Sequence, residues 1–290
     1  MKWRLKIFLK IIISRLPIPY SIWKIIGLFK HGRMDSCEYA IKIFNLHFKR
    51  AFKEKVPSNI RILELGPGDS IASAIIGFAY GASRTFLVDK DNYVSRDLNF
   101  YLKLIDTLRL KGLKTPNINQ LNSLSDILKA CNGIYLTDGL SSLKTINSDS
   151  IDFIWSHSVL EHVRKNQFYS IQRELNRILK SSGFASHSID YQDHLDHGLN
   201  NLRFSEKIWE SNLFTNSGFY TNRIPALKMH SIFSEVGFKI KRKSLGKWAS
   251  LPTKRSSMHS DFKIYADSEL INRTSYVLLK KTPSYKKNIL

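Results

Sequence analysis

The stretch from Ile60 to Ser70, Ile-Arg-Ile-Leu-Glu-Leu-Gly-Pro-Gly-Asp-Ser, leaves this chain few folds to choose from. An apolar run through Ile60, Ile62, Leu63 and Leu65 ends in two glycines, and an apolar, small-residue helical pattern follows from Ile71 to Tyr80. That is a buried strand, a tight turn and a helix start, the first half of a βαβ nucleotide site. Gly66 and Gly68 allow the backbone to bend sharply and to approach a ligand closely. Glu64 places a charge at the carboxyl end of the strand, where a parallel sheet usually shows only apolar residues. A purely structural turn has no need of it.

Strands and helices then alternate. The pattern predicts a second strand from Arg84 to Val88 ending in Asp89-Lys90-Asp91, and helices over Leu98 to Leu110 and Leu121 to Ala130. A third strand, Ile134 to Thr137, ends at Asp138-Gly139, and a fourth runs from Ile151 to Ser156. Phe168, Ile171, Leu175 and Ile178 mark a periodic helix that Ser181-Ser182-Gly183 closes, before a fifth strand from Phe184 to Ile189. A last helix reaches Val236, and strands at Phe238 to Arg242 and Tyr276 to Leu279 finish the chain. Such alternation specifies an α/β fold with a doubly wound, mostly parallel, Rossmann-like sheet. A polar insertion over 190–225, rich in histidine and aromatic residues, leaves the end of strand five; loops this long are usually functional. Residues 56–290 read as one domain preceded by a basic helical extension over 1–55, with the boundary at Lys55-Val56-Pro57-Ser58.

Charge is the unusual part of the composition: 45 basic against 24 acidic residues, a net +21. The extension holds 13 basic and 3 acidic residues. An excess of this size points to an anionic partner, nucleic acid or a lipid surface, or else to a generally basic surface. Trp3, Ile7 and Ile11 recur at i+4 beside Lys2, Lys6 and Lys10, and a second apolar segment spans Ile22 to Phe29. This extension reads either as an interfacial membrane segment or as a cap over the main domain's cleft. No apolar run approaches the ~20 residues that span a bilayer, and no signal-peptide pattern is present. Cys37 and Cys131 lack metal spacing and read as reduced thiols of a cytosolic protein.

Asp89 follows Gly66 by 23 residues, near the ~20 expected for an acid gripping a ribose diol. The third glycine of a dinucleotide fingerprint is missing, its place taken by Ile71. An acid in the strand is useless beside a pyrophosphate and useful beside a cationic amino-acid moiety, so the ligand carries positive charge and no phosphate.

Glu64-Leu65-Gly66-Pro67-Gly68, Asp89, Asp138, Ile151-Asp152-Phe153-Ile154, Val159-Leu160-Glu161-His162-Val163 and Leu175 to Gly183 together resemble class I S-adenosylmethionine-dependent methyltransferases of the type 11-like domain. The likeness runs from about residue 58 to 189 and resumes at Ile232 to Phe238; Ser70 stands where many members have a further glycine. It implies a seven-stranded sheet with the last strand antiparallel, and S-adenosyl-L-methionine as cofactor. It also implies that Glu64 and the Gly66-Pro67-Gly68 backbone hold the methionine moiety, and that Asp89, flanked by Lys90, takes the ribose. Asp138 and Gly139 would meet the adenine, and the Ser156 carbonyl the methionine ammonium. Asp152 reads as a structural turn residue.

Methyl transfer to a hydroxyl needs alignment and a base. Candidates follow strands four and five: His157, Glu161, His162, His187 and Asp190, with His157 and Glu161 at the i, i+4 spacing of one helix face. Ser158, Glu161 and His162 have a spacing that presents ligands on one face, but Ser158 replaces the carboxylate of metal-using relatives, so no metal is assigned. The insertion resembles a methyltransferase subgroup of bacterial cell-surface glycan assembly, which implies His194, Arg203 and Arg223 as acceptor contacts. The expected activity is O-methylation of a small-molecule or lipid-linked glycan, in the cytoplasm or peripherally at the inner membrane face. An RNA methyltransferase and a noncatalytic cofactor-binding partner in a membrane assembly are the alternatives; no RNA-binding motif accompanies the charge.

Overall fold

The computed structural model describes residues 3–15, 34–53, 55 and 57–282; the expected segment from Ile22 to Phe29 lies outside them. Its strands are β1 (Arg61–Leu65), β2 (Arg84–Val88), β3 (Gly133–Leu136), β4 (Ile151–His157), β5 (Leu179–Asp190), β6 (Phe238–Lys247) and β7 (Asn272–Lys281). They form one sheet in the order β3-β2-β1-β4-β5-β7-β6. β1 to β5 are parallel, and β7 runs antiparallel to both β5 and β6. The chain reverses direction of growth between β1 and β4, which opens a crevice at the carboxyl ends of those strands.

Helices cover both faces. α1 (Trp3–Ile13), α2 (Cys37–Phe52), α3 (Ala72–Ala79), α4 (Leu98–Leu110), α5 (Leu124–Ala130), α6 (Leu140–Thr145), α7 (Lys165–Ile178) and α8 (Ala226–Glu235) are the longer ones. On one face α2 to α5 pack on Ile62, Leu87, Phe153 and Trp155. On the other, α6 to α8 pack on Leu63, Val88, Ile154 and Ala185. β1 to β5 and β7 thus supply apolar residues to both layers, as alternation of side chains requires, while edge strand β6 packs only on the second. α2 shows why it docks: Ala40, Ile43, Phe44, His47, Phe48 and Ala51 are buried at helical spacing, and the Ser36 hydroxyl caps the Tyr39 amide.

Several boundaries differ from the sequence reading: β6 and β7 run longer than expected, and two others shift for a local reason. α5 begins at Leu124, not Leu121, because the Ser123 hydroxyl accepts from the Asp126 amide and caps the helix there. Ser181-Ser182-Gly183 lie within β5 and do not close a helix turn. α7 stops at Ile178, Leu179 already pairs with Ile151, and the register shift before Phe153 absorbs the extra residues. A Cβ on Gly183 would lie 2.8 Å from the Asp152 carbonyl oxygen, so the irregularity needs glycine. Asp152 itself sits inside β4, accepting from the Arg61 amide at 2.9 Å and Lys180 Nζ at 2.7 Å. Its role is to tie strand ends together.

The 190–225 insertion is a short 3-10 turn and two single-turn helices around Trp209, Phe214, Phe219 and Tyr220. Ile7 of α1 is buried in the same cluster, with Trp3 and Ile11 against it. The i+4 stripe of the first helix therefore faces the insertion. Leu5, Phe8 and Ile12, on its other side, are 49%, 60% and 44% exposed. A second long connection, between β6 and β7, packs Met258 and Phe262 onto Leu199 and Leu202; the sequence reading passed over it.

Candidate active site

The bend after β1 is built by two residues in the left-handed region, Gly66 at φ 72° and Gly68 at φ 61°. The Gly66 amide donates to the Val88 carbonyl at 2.8 Å, which locks the bend to the end of β2. Glu64 is 3% exposed, and its Oε2 has no hydrogen-bond partner. Burial pushes its carboxyl up to about 8; Ser73 opposes this and Asp89 adds to it. A buried carboxylate so placed is short of a cation or a donor. The methionine ammonium of S-adenosylmethionine answers that need, so the residues present fit the cofactor.

Asp89 stands at the tip of β2. Its Oδ2 accepts from the Gly68 amide at 3.0 Å and its Oδ1 from the Lys90 amide at 2.8 Å. Gly139, at φ 51°, donates its amide to the Asp89 carbonyl at 2.8 Å, and a Cβ there would lie 3.6 Å from Lys90 Cα. Asp138 is exposed beside it, its amide held by Ser142 Oγ at 2.9 Å. Glu64, Gly66, Pro67, Gly68, Asp89, Lys90, Asp138 and Gly139 thus converge on the ends of three neighbouring strands.

Glu64 pairs with Trp155, so Ser156 and His157 at the end of β4 lie level with Leu65 and Gly66. Ser156 is fully buried, and its Oγ lies 2.8 Å from His187 Nδ1. His157 is half-buried, with Nδ1 3.1 Å from His47 Nε2. Burial, then the Arg50 guanidinium, lowers its pKa below the ordinary histidine value. Both causes favour the neutral imidazole, the state a base requires.

The remaining candidates separate. Leu160, Glu161 and His162 form a turn, and the helix starts only at Lys165. His157 and Glu161 therefore share no helix face, and the Ser158, Glu161, His162 spacing presents no common one. Ser158, at φ 53°, and His162 are exposed, while Glu161 is 2% exposed and turns inward. Glu161 borders a cavity of about 30 Å³ together with Asn201, Thr221, Arg223 and Asn272. Neither of its carboxylate oxygens makes a hydrogen bond of normal geometry, and burial holds the group well above the carboxylate range. His187 is fully enclosed beneath α8, stacked on Phe233, and burial depresses its pKa to about 3. It braces Ser156 from the core and does not reach the crevice.

His162 and His194 do meet. Their Nε2 atoms are 3.1 Å apart, the rings stack at 4.8 Å, and His162 Nδ1–H donates to the Tyr220 carbonyl at 2.9 Å. Asp190 acts electrostatically on His194, and its carboxylate accepts from Gln192. Arg203 Nε donates to Asn200 Oδ1 at 2.9 Å, and its guanidinium lies over the Trp3 ring of α1. Arg223 is not an acceptor contact in this arrangement. Its side chain is fully buried, sits over Trp209 and Phe262, donates to the Asn201 and Phe204 carbonyls and pairs with Glu206. It holds the insertion together.

Sequence reasoning missed His47. Its signal was present, a histidine on the apolar stripe of α2, where a buried imidazole must find partners. Among the described residues no group of three or more His, Cys, Asp or Glu side chains is arranged to hold a metal ion.

A family model described as a methyltransferase domain matches residues 124–186, from α5 into β5. The match takes in Asp138, Ser156, His157, Glu161 and His162, and leaves Glu64 and Asp89 outside. No curated protein matches the sequence. Among solved structures the chain is similar to an S-adenosylmethionine-dependent methyltransferase from Mesorhizobium loti (15% identity, 86% of this chain and 100% of that one, TM-score 0.45). It is similar to one from Archaeoglobus fulgidus (12%, 85% and 95%, TM-score 0.46). A third is a Haemonchus contortus phospholethanolamine N-methyltransferase 2 bound to phosphomonomethylethanolamine and S-adenosylhomocysteine (13%, 83% and 53%, TM-score 0.46). These are likenesses of overall shape and assign nothing further. The sheet order, the buried acid and glycine bend after β1 and the acid after β2 are those of the class I methyltransferase fold, and the match over 124–186 puts a methyltransferase domain within it.

Proposed function

We propose that the protein methylates an oxygen of a glycan or another small polar acceptor, with His157 as the base. The observation that carries this reading is the position of His157, which ends β4 level with Gly66 and is held neutral by burial and Arg50. S-adenosylmethionine, when bound, supplies an electrophilic methyl group on a sulfonium. Glu64 and the bend backbone hold its amino-acid end, and Asp89 its ribose. The acceptor hydroxyl would approach from the β4 and β5 side; as its oxygen bonds the methyl carbon, the carbon–sulfur bond would break with its electron pair left on a neutral thioether, and the hydroxyl proton would pass to His157 Nε2. His194, its Nε2 held by His162, offers its Nδ1 to the acceptor on the insertion side of that approach.

The outward face of α1 supports a membrane-face location. Leu5, Phe8 and Ile12 are exposed beside Arg4 and Lys6, a pattern suited to the interface of an anionic bilayer. No helix among the described residues is long and apolar enough to cross a membrane. The test is transfer of labelled methyl groups to cell-envelope, RNA and protein fractions, each incubated separately with the full chain. Label in the envelope fraction that disappears with Asp89→Ala supports this reading. Label confined to RNA overturns the acceptor class, and cofactor binding with no label anywhere favours a noncatalytic partner.

A further inference from the structure

We propose that His47 is a positioning residue for His157, fixing its ring in the tautomer whose Nε2 carries the lone pair. The inference deepens the reading of His157 as base and rests on it.

His47 is fully buried on the apolar stripe of α2, its ring 5.1 Å from that of Trp155. Its stripe neighbours are alanine, isoleucine and phenylalanine. Packing alone asks for another such residue, and a buried imidazole without partners is costly. Here both nitrogens are engaged. Nδ1 lies 2.8 Å from Ser186 Oγ, and Nε2 lies 3.1 Å from His157 Nδ1, with the two rings nearly perpendicular at 86°. The chain Ser186, His47, His157 thus crosses from β5 to α2 to β4 and ends at the half-exposed ring on the crevice side.

Its protons fit in two ways. In one, His47 Nδ1–H donates to Ser186 Oγ, and His47 Nε2 accepts from His157 Nδ1–H. His157 Nε2 is then bare and able to take a proton. In the other, the Ser186 hydroxyl donates to His47 Nδ1, His47 Nε2–H donates to His157 Nδ1, and His157 Nε2 already carries its proton. Only the first makes His157 a base. Ser186 acts on the nearby Tyr276 hydroxyl, a buried oxygen that makes no hydrogen bond of normal geometry and so is open to the serine proton. The charged and titratable groups acting on the two rings are Arg50 on α2, His187 on β5 and each other. All of them oppose an imidazolium. Arg50 is itself held by Ser188 Oγ at 3.1 Å and by the Tyr276 ring at 3.7 Å.

Ring nitrogen-15 resonances of the full-length protein at pH 7 report the tautomer directly. The proposal expects wild-type His157 protonated at Nδ1 and bare at Nε2. His47→Gln, whose carbonyl can accept from His157, keeps that form and stays within about threefold of the wild-type transfer rate. His47→Leu removes the acceptor, shifts His157 toward the Nε2–H form and slows methyl transfer to the envelope fraction by about tenfold to a hundredfold, within the range a base supplies. The dissociation constant for S-adenosylmethionine stays within about twofold in both. A wild-type His157 protonated at Nε2, or equal rates in the two variants, overturns the proposal. The wild-type spectrum decides even if a variant fails to fold. Wild-type protein that does not bind S-adenosylmethionine sinks the methyltransferase reading instead, and leaves the tautomer measurable.

Discussion

Val159 occupies the space that a side chain on Gly66 would need: a Cβ built on Gly66 would lie 2.6 Å from both methyl carbons of Val159. The bend after β1 and the loop after β4 are therefore shaped to each other. Gly66→Ala incurs two separate costs, the left-handed backbone at φ 72° and the clash. The first costs about 1–2 kcal/mol, and overpacking adds about 1–3 kcal/mol. The expected outcome is a clearly lowered melting temperature together with loss of cofactor binding. Adding Val159→Ala should recover the clash portion only, as a double-mutant cycle of thermal melts would show. Full additivity of the two substitutions would contradict the contact.

Glu64 ties cofactor binding to pH. Its carboxyl, raised to about 8 by burial, holds a proton in the folded protein between about pH 4.5 and 8, where the unfolded chain has lost it. The folded state binds more protons in this window, so Glu64 makes stability fall as pH rises through it, by up to about 1.4 kcal/mol per pH unit. Glu64→Gln should flatten that decline. A cationic ligand favours the ionised form, so binding releases a proton. From pH 6 to 7, where an amino-acid ammonium stays charged, affinity for S-adenosylmethionine should rise with pH by up to about tenfold. Calorimetry in buffers of different ionisation enthalpy checks the released proton directly.

His157→Ala should lower the rate of methyl transfer by about 10²–10⁴ while leaving cofactor affinity within about twofold. Because burial and Arg50 lower the wild-type pKa, the acid limb of the rate profile should fall below the ordinary histidine value. An acid limb at or above that value would contradict the assignment.

Arg223 and Arg203 should part company under substitution. Arg223→Ala removes donors to two carbonyls and one of the two cations on Glu206, which keeps Lys165, a loss of roughly 2–4 kcal/mol in a chemical denaturation. Arg203→Ala gives up a bond to Asn200 and a stacking contact with Trp3, about 1 kcal/mol. Its effect should appear instead in the acceptor KM.

What the sequence made legible was local. The run ending in Gly66-Pro67-Gly68, the acids at the ends of β2 and β3 and the α/β alternation depend on neighbours along the chain, and they stand where expected. The failures came from tertiary packing. The i, i+4 spacing of His157 and Glu161 looks helical, yet Leu160 and Glu161 turn inward ahead of the helix and break the supposed face. Arg223 looked like an acceptor contact because nothing in its sequence neighbourhood announces Trp209 and Phe262, which enclose it. His47 went unnoticed because its partners, Ser186 and His157, lie more than a hundred residues away.

Titration calorimetry of the full-length protein with S-adenosylmethionine tests the central claim most directly. A saturable one-to-one heat, abolished by Glu64→Gln or Asp89→Ala and absent with a nicotinamide dinucleotide, is the predicted result. No heat with S-adenosylmethionine, alongside clean binding of a nicotinamide dinucleotide or a nucleoside triphosphate, would contradict it.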